Sequence, residues 1–266
     1  MCGRFVSASN PEEIAAYFDA APPQTELTPS YNVAPTTDIY AVVEGADGSR
    51  RVEVFHWGLI PVWAKDVKIG QKMINARAET VATKGAYKAD FKRHRCLIPM
   101  DGFYEWHAQP DRKPKQPYFV HRVDGEPLAV AGLWSTWRDR AAGLDADWLH
   151  SCTIVTTAAN ATMAAIHDRM PVILPASAWE TWLDPDNQDL DALGKLLVPA
   201  PDTLLTLHPI STDVNKVAND DAHLIDPVEL GARRTEGPTS PDGTGARRTE
   251  GPTSPDGTAT GTLFTG

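Results

Sequence analysis

The sequence predicts a single α+β domain, with a mainly antiparallel, barrel-like β-sheet flanked by short helices and a disordered C-terminal tail. Stretches with strand character outnumber those with helical periodicity, and the two kinds do not alternate as a βαβ protein requires. The last part of the chain contains almost no apolar residues. We therefore expect the folded domain over residues 1–228 and the tail over residues 229–266.

The first element is predicted to be a helix that begins at Pro11. Asn10 can cap it, proline suits the first helical position, and Glu12 and Glu13 favour the positive end of the helix dipole. Further helical patterns cover residues 85–94, 160–168, 176–183 and 188–197. All of them are short, which fits helices that flank a sheet.

Strand patterns begin at residue 38. Residues 38–44 (DIYAVVE) and 51–57 (RVEVFHW) flank the turn GADGS and predict a β-hairpin. Further strands are expected over residues 96–106, 117–123, 128–137, 148–157 and 203–210. In the tail, residues 231–244 recur unchanged at 245–258, and so polar a segment cannot offset the entropy lost on ordering.

The cysteine count and the termini restrict the class of protein. Cys2, Cys96 and Cys152 are an odd number without CxxC spacing, so neither a disulfide framework nor a zinc cluster is expected, and we expect no metal or other cofactor. The N-terminus has no signal-peptide core, and no apolar run approaches transmembrane length. We expect a cytoplasmic, monomeric protein without membrane contact.

The net charge of −10 at first disfavours nucleic-acid binding, but the charge is unevenly distributed. Residues 50–95 hold eleven Lys/Arg against four Asp/Glu, whereas residues 170–266 hold six against fifteen. A basic segment inside an acidic protein can still form a surface that follows a phosphate backbone. Such runs also occur on ordinary solvated surfaces, so this observation needs support from other residues.

The position of Cys2, directly after the initiator methionine, is the most informative local feature. Once Met1 is removed, Cys2 carries an α-amine and a thiol on adjacent carbons. An α-amine titrates far below a lysine amine, so a larger neutral fraction can attack an aldehyde to give a Schiff base. The neighbouring thiol can then close a five-membered thiazolidine ring.

Six motifs occur in an order that resembles one family. They are MCGRF (1–5), YNVAPT (31–36), WGLIP (57–61) with Trp63, NARAET (75–80), CLIP (96–99) with GFYEW (102–106), and HDRMP (167–171). Together they resemble the SRAP (SOS-response-associated peptidase) family of abasic-site processing proteins, over about residues 2–225. Each motif alone is weak evidence, whereas six in this order are specific.

The resemblance implies a function in the DNA damage response. Family members bind abasic sites in single-stranded DNA, crosslink to them as a thiazolidine through the N-terminal cysteine in a lyase-like reaction, and lose Met1 by a peptidase-type step. Such a protein would associate with the nucleoid when bound to DNA. The catalytic residues implied for this sequence are Cys2, Asn75, Glu105 and His167.

The chemistry of these residue types fits the implied roles. Opening of the abasic sugar and Schiff-base formation both need proton transfers, for which Glu105, set between two aromatic residues, and His167 are suited. Asn75 can hydrogen-bond the Cys2 amine and hold it toward the aldehyde carbon. Each residue could instead have an ordinary structural role: Glu105 as a surface glutamate, His167 as a half-buried histidine and Asn75 as a loop-capping asparagine.

DNA contacts are expected from arginines and tryptophans. The arginines that suit bidentate phosphate binding are Arg4, Arg77 and Arg169. The resemblance implies a DNA contact for Arg77 and Arg169. The tryptophans that could stack on unpaired bases are Trp57, Trp63 and Trp106. A lone arginine more often forms a surface ion pair, and eight tryptophans also suit a core.

Three other functions fit parts of the sequence. Class II glutamine amidotransferases also begin Met-Cys-Gly and use the cysteine as an acyl-transfer nucleophile, but this chain has no Asn-Gly dipeptide and lacks the long synthase domain. A non-covalent binder of single-stranded DNA leaves Cys2 unexplained. A protease could use Cys2, Glu105 and His167 as a hydrolytic set.

Overall fold

The computed structural model describes residues 2–109, 113–139, 141 and 146–230. Met1–Leu230 form one compact unit. Its strands are β1 (Phe5–Ser7), β2 (Ser30–Val33), β3 (Asp38–Glu44), β4 (Arg50–Trp57), β5 (Asn75–Arg77), β6 (Arg95–Met100), β7 (Gly102–His107), β8 (Gln116–Arg122), β9 (Leu128–Trp137), β10 (Leu149–Ala158), β11 (Arg169–Pro171) and β12 (Leu205–Pro209). Its α-helices are α1 (Pro11–Tyr17), α2 (Lys88–Arg93), α3 (Ala161–Ala164), α4 (Trp179–Leu183) and α5 (Leu190–Lys195). Short 3-10 helices cover Val67–Lys72, Ala176–Ala178, Thr212–Asn215 and Ala222–Ile225.

The larger sheet closes into a five-stranded barrel in the order β10, β4, β3, β6, β9, because β9 also pairs with β10. Most neighbouring strands are antiparallel, as predicted, while β10 runs parallel to β4 and to β5. β11 pairs antiparallel with the end of β10. β10 is therefore the strand on which several chain segments converge.

The smaller sheet is antiparallel, in the order β12, β8, β7, β1, β2. β1 pairs with β7 in a register that places Phe5 opposite Phe103. The Tyr104 N–H continues this ladder by donating to the Arg4 carbonyl at 3.0 Å. Continued by two residues, the same register brings Glu105 opposite Gly3, next to Cys2.

The core has a large apolar cluster that joins the barrel interior to the smaller sheet. Its members come from both sheets and include Cys2, Phe5, Trp57, Cys96, Phe103, Cys152 and Ile154. A second cluster lies between the barrel and the helices, and it contains residues of α1, α2, α4 and α5. The first residue after Met1 is thus part of the hydrophobic interior.

The structure confirms the α+β class and the barrel-like sheet. The single strand expected over 96–106 is wrong, because this segment forms β6 and β7 in different sheets. The Asp101 carboxylate sits at the break and accepts the N–H groups of Ala8 and Ser9 at 2.6 and 3.0 Å. From residue 231 onward the expected tail lies outside the described residues. Within the described ranges, no helix combines the length and apolar character needed to cross a membrane.

Candidate active site

Cys2 lies fully buried just before β1. The Asn75 side chain on β5 donates from Nδ2 to the Cys2 backbone carbonyl at 2.8 Å. Burial raises the pKa of the Cys2 thiol, and the negative charge of Glu105 raises it further. The thiol is therefore protonated at neutral pH and is held beside a carboxylate that can accept its proton.

Asn75 is positioned by its backbone. β5 runs parallel to β10 with Asn75 opposite Ile154, and the Tyr87 hydroxyl donates to the Asn75 carbonyl at 3.2 Å. The side-chain oxygen Oδ1 is buried without a hydrogen-bond partner among the described residues. A buried acceptor of this kind favours an N–H donor, and the α-amine of a processed Cys2 is such a donor.

Glu105 and His167 face each other beside Cys2. Glu105 on β7 is only 2% exposed, and its Oε2 lies 3.9 Å from His167 Nε2. His167 Nδ1 accepts the Arg169 N–H at 3.0 Å, so in the neutral ring the proton is on Nε2, toward Glu105. Asp168 Oδ1 lies 3.0 Å from Nδ1 and can accept a hydrogen bond from it when the ring is charged. The two side chains are thus close enough for an ion pair, and a direct hydrogen bond between them needs a closer approach.

The chain around His167 is fixed by a short helix and a short strand. The Asn160 side chain caps α3 by accepting the Met163 N–H at 2.9 Å, and the His167 N–H in turn donates to the Met163 carbonyl at 2.9 Å. β11 begins two residues later and pairs with β10. The structure thus brings Cys2, Asn75, Glu105 and His167 together from four separate parts of the chain.

The three arginines expected to bind phosphate have different surroundings. Arg77 on β5 is exposed. Arg169 makes a two-point ion pair with Glu79, which lowers the pKa of that carboxyl, and it also donates to the Thr156 carbonyl at 2.7 Å. A phosphate group would compete with Glu79 for this guanidinium.

Arg4 is half-buried and is already hydrogen-bonded to other parts of the protein. Its Nη1 donates to Asn32 Oδ1 and to the Val214 carbonyl, both at 2.8 Å, and its guanidinium carbon lies 6.0 Å from the centre of the Trp106 ring. These contacts tie the turn at residues 212–215 to the smaller sheet. A phosphate group would have to compete with these partners for the guanidinium, so the phosphate contact expected of Arg4 stays a prediction.

The three tryptophans expected to stack on bases also differ. Trp57 is fully buried, its Nε1 donates to the Ile74 carbonyl at 3.0 Å, and its ring packs against Phe5 at 5.1 Å between centroids. The stacking role expected of Trp57 is therefore wrong, since its ring has no exposed face. Trp106 is half-buried and donates to Asn215 Oδ1 at 2.7 Å, whereas Trp63 is 58% exposed.

Sequence reasoning missed Tyr87 and Thr156. Tyr87 holds the Asn75 carbonyl, and Thr156 contributes the carbonyl that orients Arg169. Neither residue lies in a motif that indicates chemistry, because each acts through contacts that only the fold creates. Within the described part of the chain, no group of three or more His, Cys, Asp or Glu residues is placed to hold a metal ion.

Comparisons with known proteins point to one family. The family model described as SOS response associated peptidase (SRAP) matches residues 1–217. The abasic site processing protein YoaM of Bacillus subtilis is 43% identical over 229 residues, which are 85% of this chain and 98% of that protein. The abasic site processing protein YedK of Escherichia coli is 33% identical over 236 residues, 86% of this chain and 100% of that protein.

Two further comparisons extend the likeness. The abasic site processing protein HMCES of Gallus gallus is 34% identical over 233 residues, 76% of this chain and 67% of that protein. A crystal structure from Bacteroides thetaiotaomicron superposes with a TM-score of 0.76 at 24% identity, covering 86% of this chain and 100% of that one. At that identity the superposition supports the fold alone.

Proposed function

This chain belongs to the SRAP family, and from that premise we propose that it binds abasic sites in single-stranded DNA and captures them covalently. The adduct is a thiazolidine formed by the α-amine and thiol of Cys2 after Met1 has been removed. The observation that carries the proposal is the convergence of Asn75, Glu105 and His167 on a buried residue 2.

The first bond forms between nitrogen and carbon. The abasic sugar opens from its hemiacetal to an aldehyde, and the neutral α-amine of Cys2 adds to C1′. Glu105 and His167 supply the proton transfers by which the carbonyl oxygen leaves as water and an imine remains. Asn75 Oδ1 accepts a hydrogen bond from the amine and so orients its lone pair.

The second bond closes the ring. The Cys2 sulfur adds to the imine carbon, and the thiol proton passes to the imine nitrogen with Glu105 as carrier. Burial and the Glu105 charge raise the pKa of this thiol, which favours attack by the amine before attack by the sulfur. Amidotransferase and protease chemistry begin instead with a thiolate.

The test is an incubation of processed protein with single-stranded DNA that contains one abasic site. We expect a protein–DNA band that survives heat and denaturant on a gel, while DNA with an intact base gives none. Intact mass of the purified protein should show that Met1 is absent. Protein that retains Met1 should not react, because its Cys2 nitrogen is part of a peptide bond.

The same assay separates the alternatives. Retention of abasic and intact DNA in a native gel, without a denaturation-resistant band, would identify a non-covalent binder and overturn the proposal. Hydrolysis of a glutamine or peptide substrate without any DNA adduct would identify acyl-transfer chemistry and overturn it equally.

A further inference from the structure

Glu79 lies beside both arginines that the proposed function expects to bind phosphate. Its carboxylate accepts hydrogen bonds from Nη1 and Nη2 of Arg169, the second at 3.0 Å. These bonds lower the pKa of the Glu79 carboxyl, and the positive charges of Arg169 and Arg77 lower it further, so it is ionised at neutral pH. A negative group of the protein thus occupies the place where these cations would hold a phosphate.

One carbonyl group of β10 holds the two partners of this ion pair together. The Thr156 carbonyl accepts the Ala78 N–H at 2.8 Å and Arg169 Nη2 at 2.7 Å. Ala78 directly precedes Glu79 in the chain. The same oxygen therefore anchors the turn that carries the carboxylate and the guanidinium that the carboxylate binds.

The ion pair is next to the candidate active site. Arg77 and Asn75 are two residues apart on β5, so their side chains leave one face of the strand at points about 7 Å apart. Arg169 follows His167 by two residues, and its N–H donates to His167 Nδ1 at 3.0 Å. An anion held by both arginines would therefore be a phosphate close to the reacting sugar.

The geometry allows a phosphate to replace the carboxylate. The Glu79 side chain is 52% exposed and that of Arg169 is 12% exposed, so the carboxylate can turn into water while the guanidinium stays in place. Ion pairs with an exposed partner contribute little net free energy. Arg169 Nε is also buried without an acceptor among the described residues, so the pair leaves one donor of the guanidinium unused.

We propose that Glu79 is an internal competitor of the DNA phosphate and, by weakening reversible binding, limits the occupancy of undamaged single strands. Every strand must displace the carboxylate before Arg169 can bind its phosphate. An abasic strand is afterwards retained by its covalent bond, whereas an intact strand dissociates. Weak reversible binding thus widens the difference in occupancy between damaged and intact strands. The inference rests on the proposed function and deepens it.

The experiment compares the wild type with Glu79→Gln, which keeps the size of the side chain and removes its charge. Glu53→Gln is the matched control, because Glu53 also pairs with an arginine, Arg51 at 3.0 Å, and lies on β4, which carries none of the four catalytic residues. Arg169→Gln and the double variant Glu79→Gln/Arg169→Gln complete a double-mutant cycle. The dissociation constant of an intact single strand is measured for each protein at several salt concentrations.

We expect Glu79→Gln to bind the intact strand about 3- to 10-fold more tightly, the effect of removing one unit charge a few ångströms from a phosphate near water. Its salt dependence should steepen by about 0.7 in the log–log slope, which corresponds to one more neutralised phosphate. Glu53→Gln should match the wild type. In the Arg169→Gln background the gain from Glu79→Gln should be largely lost, because the guanidinium that the carboxylate occupies is gone.

Three results would overturn the inference. Equal or weaker binding of the intact strand by Glu79→Gln would show that Glu79 does not compete with DNA. Equal gains from Glu79→Gln and Glu53→Gln would reduce the effect to net charge. A gain that persists in full without Arg169 would place the effect elsewhere. If the wild type forms no adduct with abasic DNA, the proposed function fails, whereas the binding of intact strands still decides the role of Glu79.

Discussion

At the scale of single residues, the assignment of Cys2 depends on two groups that react in sequence. Cys2→Ala keeps the α-amine but has no thiol, so an imine can form and the ring cannot close. We expect an adduct that is trapped by borohydride but lost on heating without it, and strand cleavage by β-elimination should accompany it. Timed gels with and without borohydride measure this. Equally heat-stable adducts of Cys2→Ala and wild type would remove the thiol from the mechanism.

Glu105 is assigned a proton-transfer role that a neutral amide of the same shape cannot fill. We expect Glu105→Gln to slow adduct formation by about 10²–10⁴-fold where proton transfer limits the rate. The shape of its pH–rate profile should also change, because an amide can neither give nor accept the proton in this step. Rates at several pH values measure both effects. A uniform slowdown with the wild-type pH profile would indicate a structural role only.

Residue-level predictions from the sequence succeeded or failed according to how far the relevant contacts extend along the chain. Cys2 could be singled out because its chemistry depends on its own position. The burial of Trp57 could not be predicted, because its partners Phe5 and Ile74 come from other segments. The internal role of Arg4 depends on Val214, 210 positions away.

At the scale of elements, long strands were predictable and short ones were not. β3, β9 and β10 have seven to ten residues, enough to show a pattern. β5 and β11 have three residues each, fewer than any periodicity requires, yet they carry Asn75 and Arg169. The elements that complete the candidate site are therefore those with the weakest signal in the sequence.

The segment between Trp57 and Asn75 depends on a close approach of two glycines. Gly58 has φ +137°, and a Cβ on Gly70 would lie 2.6 Å from the Gly58 carbonyl oxygen. We expect Gly70→Ala to displace this segment, lower Tm and slow crosslinking, because Trp63 lies within it and Asn75 at its end.

A matched control comes from α5. Gly194 has open space where a Cβ would be added, so Gly194→Ala should keep full crosslinking and leave Tm unchanged or slightly higher. Thermal melts and crosslinking rates compare the two variants. Identical behaviour of Gly70→Ala and Gly194→Ala would show that the glycine contact does not constrain the site.

At the scale of the whole molecule, the basic segment over residues 50–95 exposes less positive charge than its sequence suggests. Several cations of the basic segment are internally paired or buried: Arg50 pairs with Glu44 at 3.2 Å, Arg51 with Glu53 at 3.0 Å, and Arg95 is 1% exposed. The remaining positive surface comes from the exposed cations of this segment, which are Lys65, Lys68, Lys72, Arg77, Lys84, Lys88 and Arg93. A small basic surface on an acidic protein still makes DNA capture sensitive to salt.

We expect the logarithm of the single-strand binding constant to fall with the logarithm of salt concentration. A slope between about −2 and −3 would correspond to three or four neutralised phosphates. Titrations at several salt concentrations measure the slope, and the adduct once formed should resist salt because it is covalent. A slope near zero, or equal affinity for intact duplex, would contradict single-strand capture by these cations.

The pairing of two short strands to β10 bears on how the chemistry of this protein could be altered. Asn75, Arg77 and Arg169 each lie on a strand paired to β10, so their spacing is set by main-chain hydrogen bonds. Peptide groups are the same in every residue type. A protein engineer could therefore exchange these side chains for other acids, bases or amides and keep the distances between their attachment points. The barrel thus provides a fixed frame in which new reactions of an N-terminal amine could be designed.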